Sequence, residues 1–335
     1  MTKYLITIDG GTTNTRAFLW NGAGELIAKT GENVGVRNTA IDGHNNKLKE
    51  AIKSCLERLL AQEGISYAQV GRIVASGMLS SNVGIAEVSH LTAPVAAEDF
   101  AREAVPVELT DICPLPIYII PGLKNQSSPT LNDYEAMDIM RGEETESIPL
   151  IRLYSGKGPL LLVLPGSHNK FISVDSQGRI TGCLTTLSGE LHNCILNNTI
   201  LADAVGDHFV DEKEYDHEMV IMGSNNSINT GLGRACFSAR ILNQFLISNK
   251  NKISNYILGV VCGDDANAII NSTALDIEKG ITTIVCGKKP QSTALCDVLQ
   301  STGYFGEILS HPAFAIPLAA QGAYIIADLM EMQVL

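Results

Sequence analysis

The sequence predicts two similar α/β domains facing one another across a cleft, on three observations. Its 335 residues suit roughly two domains at about 150 residues each. The first 120 residues read as three short antiparallel strands, a helix, a strand, a connection and a further strand. The same three-strand opening then recurs from residue 160 onward.

Tyr4-Leu5-Ile6-Thr7-Ile8 is apolar or β-branched and stops at the turn Asp9-Gly10-Gly11-Thr12-Thr13. It reads as a first strand rather than a leader, because no seven-residue apolar core and no small-residue cleavage site accompany it. Residues 15–20 form a second strand, Asn21-Gly22-Ala23-Gly24 turns the chain, and 25–29 alternate well enough for a third. Leu48, Ile52, Cys55, Leu56, Leu59 and Leu60 recur at helical spacing, with Gly64 at the C-terminal cap position. Residues 72–75 and 117–120 are the next strands. In the second half, strand 160–164 meets the turn Pro165-Gly166-Ser167-His168-Asn169, strand 170–174 follows, and 179–184 completes the meander. From Gly10 to Gly24 is 14 residues and from Gly166 to Gly178 is 12, so the two meanders differ by two. Helical stretches span about 188–273. Strand 282–286, a helix near 292–302, a short strand near 304–308 and a last helix from about 314 to 330 complete the pattern.

Composition narrows the function. The chain is 45% hydrophobic and 18% charged, and its longest apolar runs, 158–164 and 324–327, fall far short of the ~20 residues a membrane helix needs. Twenty-four Lys and Arg against 36 Asp and Glu leave a charge of −12, which opposes attraction to a nucleic-acid backbone. The eight cysteines include no CxxC pair and no zinc-spaced cluster, so they read as reduced thiols of a cytoplasmic protein. The sequons at Asn125 and Asn225 are then chance matches. No GxxxxGK[ST] loop is present, Gly231-Leu232-Gly233 lacks the third glycine of a dinucleotide fingerprint, and His217-Glu218 has no second histidine at metalloprotease spacing.

The richest motif is Asp9-Gly10-Gly11-Thr12-Thr13. Two glycines let the backbone approach an anion, and the N–H groups and hydroxyls that follow can donate to phosphate oxygens. Asp9 beside those phosphates suits Mg²⁺ held through its water shell. An ordinary hairpin turn would have the same sequence. The second hairpin, Gly166-Ser167-His168, argues against that reading, because the duplication sets it opposite to clasp the same phosphates.

These paired hairpins resemble the superfamily of sugar kinases, actin and the heat-shock ATPases. Residues 76–84 (SGMLSSNVG), 119–123 (IIPGL), 140–145 (MRGEET), 164–171 (LPGSHNKF) and 187–192 (LSGELH) resemble, in order, motifs of the 2-dehydro-3-deoxygalactonokinase family. The resemblance is strong to about residue 200 and diffuse beyond. It implies two RNase H-like (actin-like ATPase) domains, 1–147 for substrate and phosphate and 148–335 for nucleotide. The helical insertion falls at about 188–273, and the last helix packs back on the first domain. It implies ATP-dependent phosphorylation, with Mg²⁺, of the C6 hydroxyl of 2-dehydro-3-deoxy-D-galactonate. Kinases of other sugars or sugar acids, and a silent sugar or nucleotide sensor, are the competing readings, and the sequence leaves homo-oligomerisation open.

By the same resemblance the general base is an acid after a glycine about 20 residues before the second hairpin. Glu143 fits, 23 residues before Gly166, with Glu144 and Asp138 as rivals. Candidate partners for the substrate carboxylate are Arg141, Lys170 and the turn Ser80-Ser81-Asn82. His168 and Asn169 are placed near the γ-phosphate or the substrate, and Ser188-Gly189-Glu190 opens a helix facing the cleft, unless Ser188 is only its N-cap beside a buried Leu191. Gly287-Lys288-Lys289 matches the superfamily's adenosine motif, in which the glycine gives adenine room. Gly10 stands where the family commonly has an aromatic, which implies an open space beside the first turn. Because both substrates are anions and the protein is acidic, Arg16, Arg141, His168, Lys170, Lys288 and Lys289 are expected to line one cleft.

Overall fold

The computed structural model describes residues 4–205 and 209–332. β1 (Tyr4–Gly10), β2 (Thr15–Trp20) and β3 (Leu26–Glu32) form the first meander, followed by α1 (Val36–Asp42) and α2 (Asn46–Glu63). Gly64 ends α2 in the left-handed region at φ 63°. β4 (Val70–Gly77) returns parallel to β1, setting Ile6 opposite Ile73 and Ile8 opposite Ala75. Then come β5 (Leu91–Thr92), α3 (Ala97–Arg102), β6 (Val105–Val107), β7 (Ile117–Ile119), β8 (Leu123–Lys124), β9 (Ile139–Met140) and α4 (Glu143–Leu153).

The second half repeats the opening with β10 (Leu160–Leu164), β11 (Asn169–Val174) and β12 (Ile180–Thr186). Among the described residues five helices follow: α5 (Ser188–Asn198), α6 (Ala202–Val205), α7 (His217–Thr230), α8 (Leu232–Phe245) and α9 (Lys250–Asn271). β13 (Thr282–Cys286), α10 (Gln291–Ser301), β14 (Ile308–His311) and α11 (Leu318–Met332) complete the chain. The sheets run β3-β2-β1-β4-β7-β6 and β12-β11-β10-β13-β14, so each is an antiparallel meander extended by two parallel strands, with β6 added antiparallel at the edge of the first. A small sheet, β5-β8-β9, joins the loops above the first. The last short strand lies at Ile308–His311 rather than near 304–308, because Gly303 turns at φ 62° and Gly306 packs on the carbonyl of Gly280 before pairing begins.

Side-chain alternation divides the cores. Ile6 and Ile8 point to one face of the first sheet, against the α2 stripe Leu48, Ile52, Cys55, Leu56 and Leu59. Leu5, Phe18, Trp20 and Val74 point to the other, where they share a cluster with Leu160, Leu162 and Ile284 of the second sheet and with Ala320, Ala323 and Ile326 of α11. The sheets are therefore joined by apolar packing with α4 and α11 between them, and α11 lies against β1, β4, α3 and α4. The outer face of the second sheet, with Leu161, Val163 and Val285, packs on Leu258, Cys262 and Ile269 of α9 and on α10. Asn125 is buried, donating to the carbonyls of Cys183 and Ala274 while accepting the Cys183 N–H, which ties the small sheet to the second half. All eight cysteines are free, and among the described residues no helix is long and apolar enough to cross a membrane.

Candidate active site

Each meander ends in a glycine hairpin, and each hairpin is backed by the start of a helix. At the first, Gly11 N–H donates to Asn14 O at 2.8 Å, leaving Thr12 and Thr13 exposed at the tip. The N–H groups of Val36 and Arg37, opening α1, donate to the carbonyls of Gly11 and Thr12. Gly35 makes this approach feasible, since a Cβ there would lie 2.5 Å from Gly11 O. At the second, Glu190 N–H donates to Ser167 O at 3.0 Å, and a Cβ on Gly189 would stand 2.1 Å from Gly166 O. The duplication thus extends from strand order to the way each hairpin is braced.

No open space lies beside the first turn. A Cβ on Gly10 would stand 2.2 Å from Leu79 Cγ, so Leu79 fills the volume that the missing side chain was expected to leave. Gly77 follows the same logic at φ 79°, with the carbonyl of Gly10 2.6 Å from where its Cβ would be. Gly287 is similar, because Pro165 of the second hairpin occupies the space beside it.

The acids sort by environment. Asp9, at the end of β1, has Arg16 as an ion-pair partner at 3.9 Å. Burial raises its carboxyl above the usual range, while Arg16 draws it down and nearby Glu143 pushes it up. Gly142, at φ 117°, turns the chain into α4, so that Glu143 stands half-buried at the helix start while Glu144 turns inward. Glu144 is 1% exposed and takes the Gly142 N–H on both oxygens, at 2.9 and 2.8 Å. Burial, then the charge of Glu143, pushes it up to about 8. Asp138 is engaged elsewhere, accepting from the N–H and hydroxyl of Thr185 at 2.6 and 2.8 Å. Of the three rival acids, Glu143 is the one whose charge acts on Asp9. Glu146, one turn further along α4, joins them; burial, followed by Asp9 and Glu143, pushes it up to about 8. The sequence reading missed it, although i, i+3 spacing from Glu143 places it on the same helix face.

The cations do not all share the cleft. Arg141 donates to the carbonyl and hydroxyl of Ser80 at 2.8 and 2.7 Å and to Val88 O at 3.0 Å, stapling the 78–90 loop to the start of α4. Ser80 and Ser81 are buried and return their hydroxyls to Gly77 O and Met78 O, leaving Asn82 as the exposed member of that turn. Lys170 is 6% exposed and donates to Ile139 O and Thr185 Oγ1, so its charge is held between β9 and β12. Arg16 stays at Asp9. His168 pairs with Glu190 at 3.1 Å, Lys289 with Glu212 at 3.1 Å, and Lys288 is exposed.

A cavity of about 450 Å³ opens beside the second hairpin, between Gly166 and Ser167, Gly189 and His192 of α5, and Lys288 and Gln291 at the start of α10. Its wall differs from expectation at α5. Leu187, not Ser188, precedes the helix, and Ser188 sends its hydroxyl to Asp265 rather than capping. His192 is buried there, while Leu191 is only partly so. Asn169 is wholly buried beneath the hairpin, where it accepts the Gly166 N–H at 2.9 Å, so it braces the turn rather than lining it.

Two like sheets that each carry a braced hairpin, with an acid-led helix between them, form the actin-like ATPase fold, and the family match makes the chain a carbohydrate kinase. The chain belongs to the 2-keto-3-deoxy-galactonokinase family, whose model matches residues 9–315. It is 25% identical over 309 residues to the 2-dehydro-3-deoxygalactonokinase of Escherichia coli strain K12, covering 90% of this chain and 94% of the relative. It is 29% identical over 204 residues to a Rhizobium meliloti strain 1021 protein assigned as 2-dehydro-3-deoxygalactonokinase DgoK1, covering 61% and 60%. A crystal structure of a Sinorhizobium meliloti protein assigned to the same activity superposes with a TM-score of 0.74 at 20% identity, covering 98% of this chain and 99% of that one.

Proposed function

We propose that the protein transfers the γ-phosphoryl group of ATP to the C6 hydroxyl of 2-dehydro-3-deoxy-D-galactonate. The observation that carries this reading is the placement of Glu143 at the start of α4, where its charge reaches Asp9, while Glu144 and Asp138 are both engaged in internal hydrogen bonds. Glu143 accepts the hydroxyl proton as the oxygen attacks. The new O–Pγ bond forms, the bond from Pγ to the β-phosphate oxygen breaks, and ADP leaves.

The first hairpin, with Gly10, Gly11, Thr12, Thr13 and Arg16, receives phosphate and substrate in the first half. Gly166, Ser167 and His168, with the cavity reaching Lys288 and Gln291, receive the nucleotide in the second. Asn82 and the far side of the 78–90 loop are left to contact the sugar acid. Among the described residues no group of three or more His, Cys, Asp or Glu could cage a metal. Asp9 suits Mg²⁺ that arrives on the phosphates and keeps much of its water, as that ion prefers. Mg²⁺ would neutralise charge on the phosphates. Eight free cysteines suit a cytoplasmic setting.

A coupled ADP-release assay over a panel of sugar acids and neutral sugars tests the reading. The account expects turnover that is fastest with 2-dehydro-3-deoxy-D-galactonate. Faster turnover with another acceptor would reassign the substrate, and no turnover with any would leave a sensor.

A further inference from the structure

Several elements around the 450 Å³ cavity converge on one buried carboxylate. Asp265, in the second half of α9, is 1% exposed. Its Oδ1 accepts from the hydroxyl of Thr186 at 2.7 Å, at the end of β12, and from the hydroxyl of Ser188, the first residue of α5. Its Oδ2 accepts from Asn169 Nδ2 at 2.8 Å. Asn169 is wholly buried, and its Oδ1 accepts both the Gly166 N–H at 2.9 Å and Gln291 Nε2 at 3.1 Å. Gly166 lies in the phosphate hairpin and Gln291 opens α10.

The donor and acceptor pattern is directional. An ionised carboxylate only accepts, so the amide of Asn169 must turn its NH₂ toward Asp265. That orientation aims the amide oxygen at Gly166 and Gln291. The same carboxylate draws in the start of α5, whose Gly189 packs on the hairpin from the other side.

We infer that Asp265 is the positioning residue of the second phosphate hairpin: by fixing which end of Asn169 donates, it holds the hairpin, α5 and α10 in the arrangement that receives the nucleotide. The inference rests on the ATP-dependent reading of the site. Asp265 touches no substrate and acts through Asn169 and Ser188.

Exchange of the two groups provides the test. Asp265→Asn either sets its NH₂ against that of Asn169, so that the Asn169 amide loses its orientation, or keeps its oxygen on Asn169 and points its NH₂ at Thr186 and Ser188, whose hydroxyls then lose their acceptor and release the start of α5. Adding Asn169→Asp restores every contact, because the new carboxylate accepts from Gly166, Gln291 and the new amide at 265, whose oxygen still accepts from Thr186 and Ser188. Binding of ADP to the full chain is measured by calorimetry, and the KM for the sugar acid at saturating ATP. Asp265→Asn is expected to weaken ADP about tenfold or more, as leaving a buried donor unpaired does, with the sugar-acid KM within about twofold. The double exchange should return ADP affinity to within about threefold of wild type. Unchanged ADP affinity in Asp265→Asn, or a double variant no better than the single one, would overturn the inference. Should Asp265→Asn not accumulate folded, Ser188→Ala decides, with about threefold weaker ADP expected and unchanged affinity contradicting. A folded wild-type chain that binds no ADP overturns the ATP reading and this inference with it. One that binds ADP leaves that reading standing whatever the variants do.

Discussion

Gly322 of α11 lies directly on the carbonyl of Thr145 in α4: a Cβ at 322 would stand 1.8 Å from that oxygen. Thr145 is four residues before Pro149, which has no N–H, so this carbonyl lacks its usual helical donor. The two helices between the sheets cross where one is missing a hydrogen bond and the other a side chain, and a Cα–H contact suits this buried oxygen. Gly322→Ala forces the helices apart and is expected to cost about 1–3 kcal/mol, read as a lower urea midpoint at unchanged slope. An unchanged midpoint would contradict the crossing.

Gly10 and Leu79 form a complementary pair. Gly10→Ala sets a methyl group against Leu79 Cγ at 2.2 Å and is expected to destabilise by about 1–3 kcal/mol. Leu79→Ala alone opens a cavity and is destabilising on its own. The double variant should be more stable than the sum of the two losses, a coupling that a double-mutant cycle in urea measures.

Glu144 sets a pH dependence. Its folded carboxyl lies near 8 against about 4.5 when unfolded, so folding takes up a proton across that window. The contribution is fully present below about 4.5 and is lost as pH rises toward 8. Glu146 acts in the same direction. Glu144→Gln removes one of these terms, so thermal midpoints of the variant should fall less than those of wild type between pH 5 and pH 8. Parallel curves would contradict the burial argument.

Asp9 is expected to carry the metal dependence. A chelator should abolish turnover and excess Mg²⁺ restore it, while Asp9→Asn should lower kcat by roughly a hundredfold or more, in the range seen when a preorganised charged group is lost at a reacting centre. Full turnover of Asp9→Asn at ordinary Mg²⁺ would remove Asp9 from the phosphate site.

Much of the frame was legible because local pattern and tertiary packing agree. The strands at Thr15–Trp20, Leu160–Leu164 and Thr282–Cys286 and the cap at Gly64 follow from apolar and β-branched runs set off by turns and from glycine chemistry alone. The two-residue strands β5, β8 and β9 were not legible, since they exist only through pairing with one another. In the site, the hairpins and the Gly142-Glu143 turn were legible as motifs. The environments were not, because a lysine in a hairpin motif gives no sign that Ile139 O and Thr185 will bury its charge. Leu79 filling the space at Gly10, and Asp265 reaching Asn169 across 96 residues, are long-range contacts with no local signal.

The central claim is that Glu143 serves as the base for phosphorylation at C6. The most direct test is to incubate wild type and Glu143→Gln with MgATP and 2-dehydro-3-deoxy-D-galactonate and to follow both by phosphorus NMR. The account predicts a new monoester signal coupled to the C6 protons with wild type, and a rate lower by roughly 10²- to 10⁴-fold with Glu143→Gln while ADP binding persists. A phosphate coupled to another carbon, or a variant as fast as wild type, would contradict it.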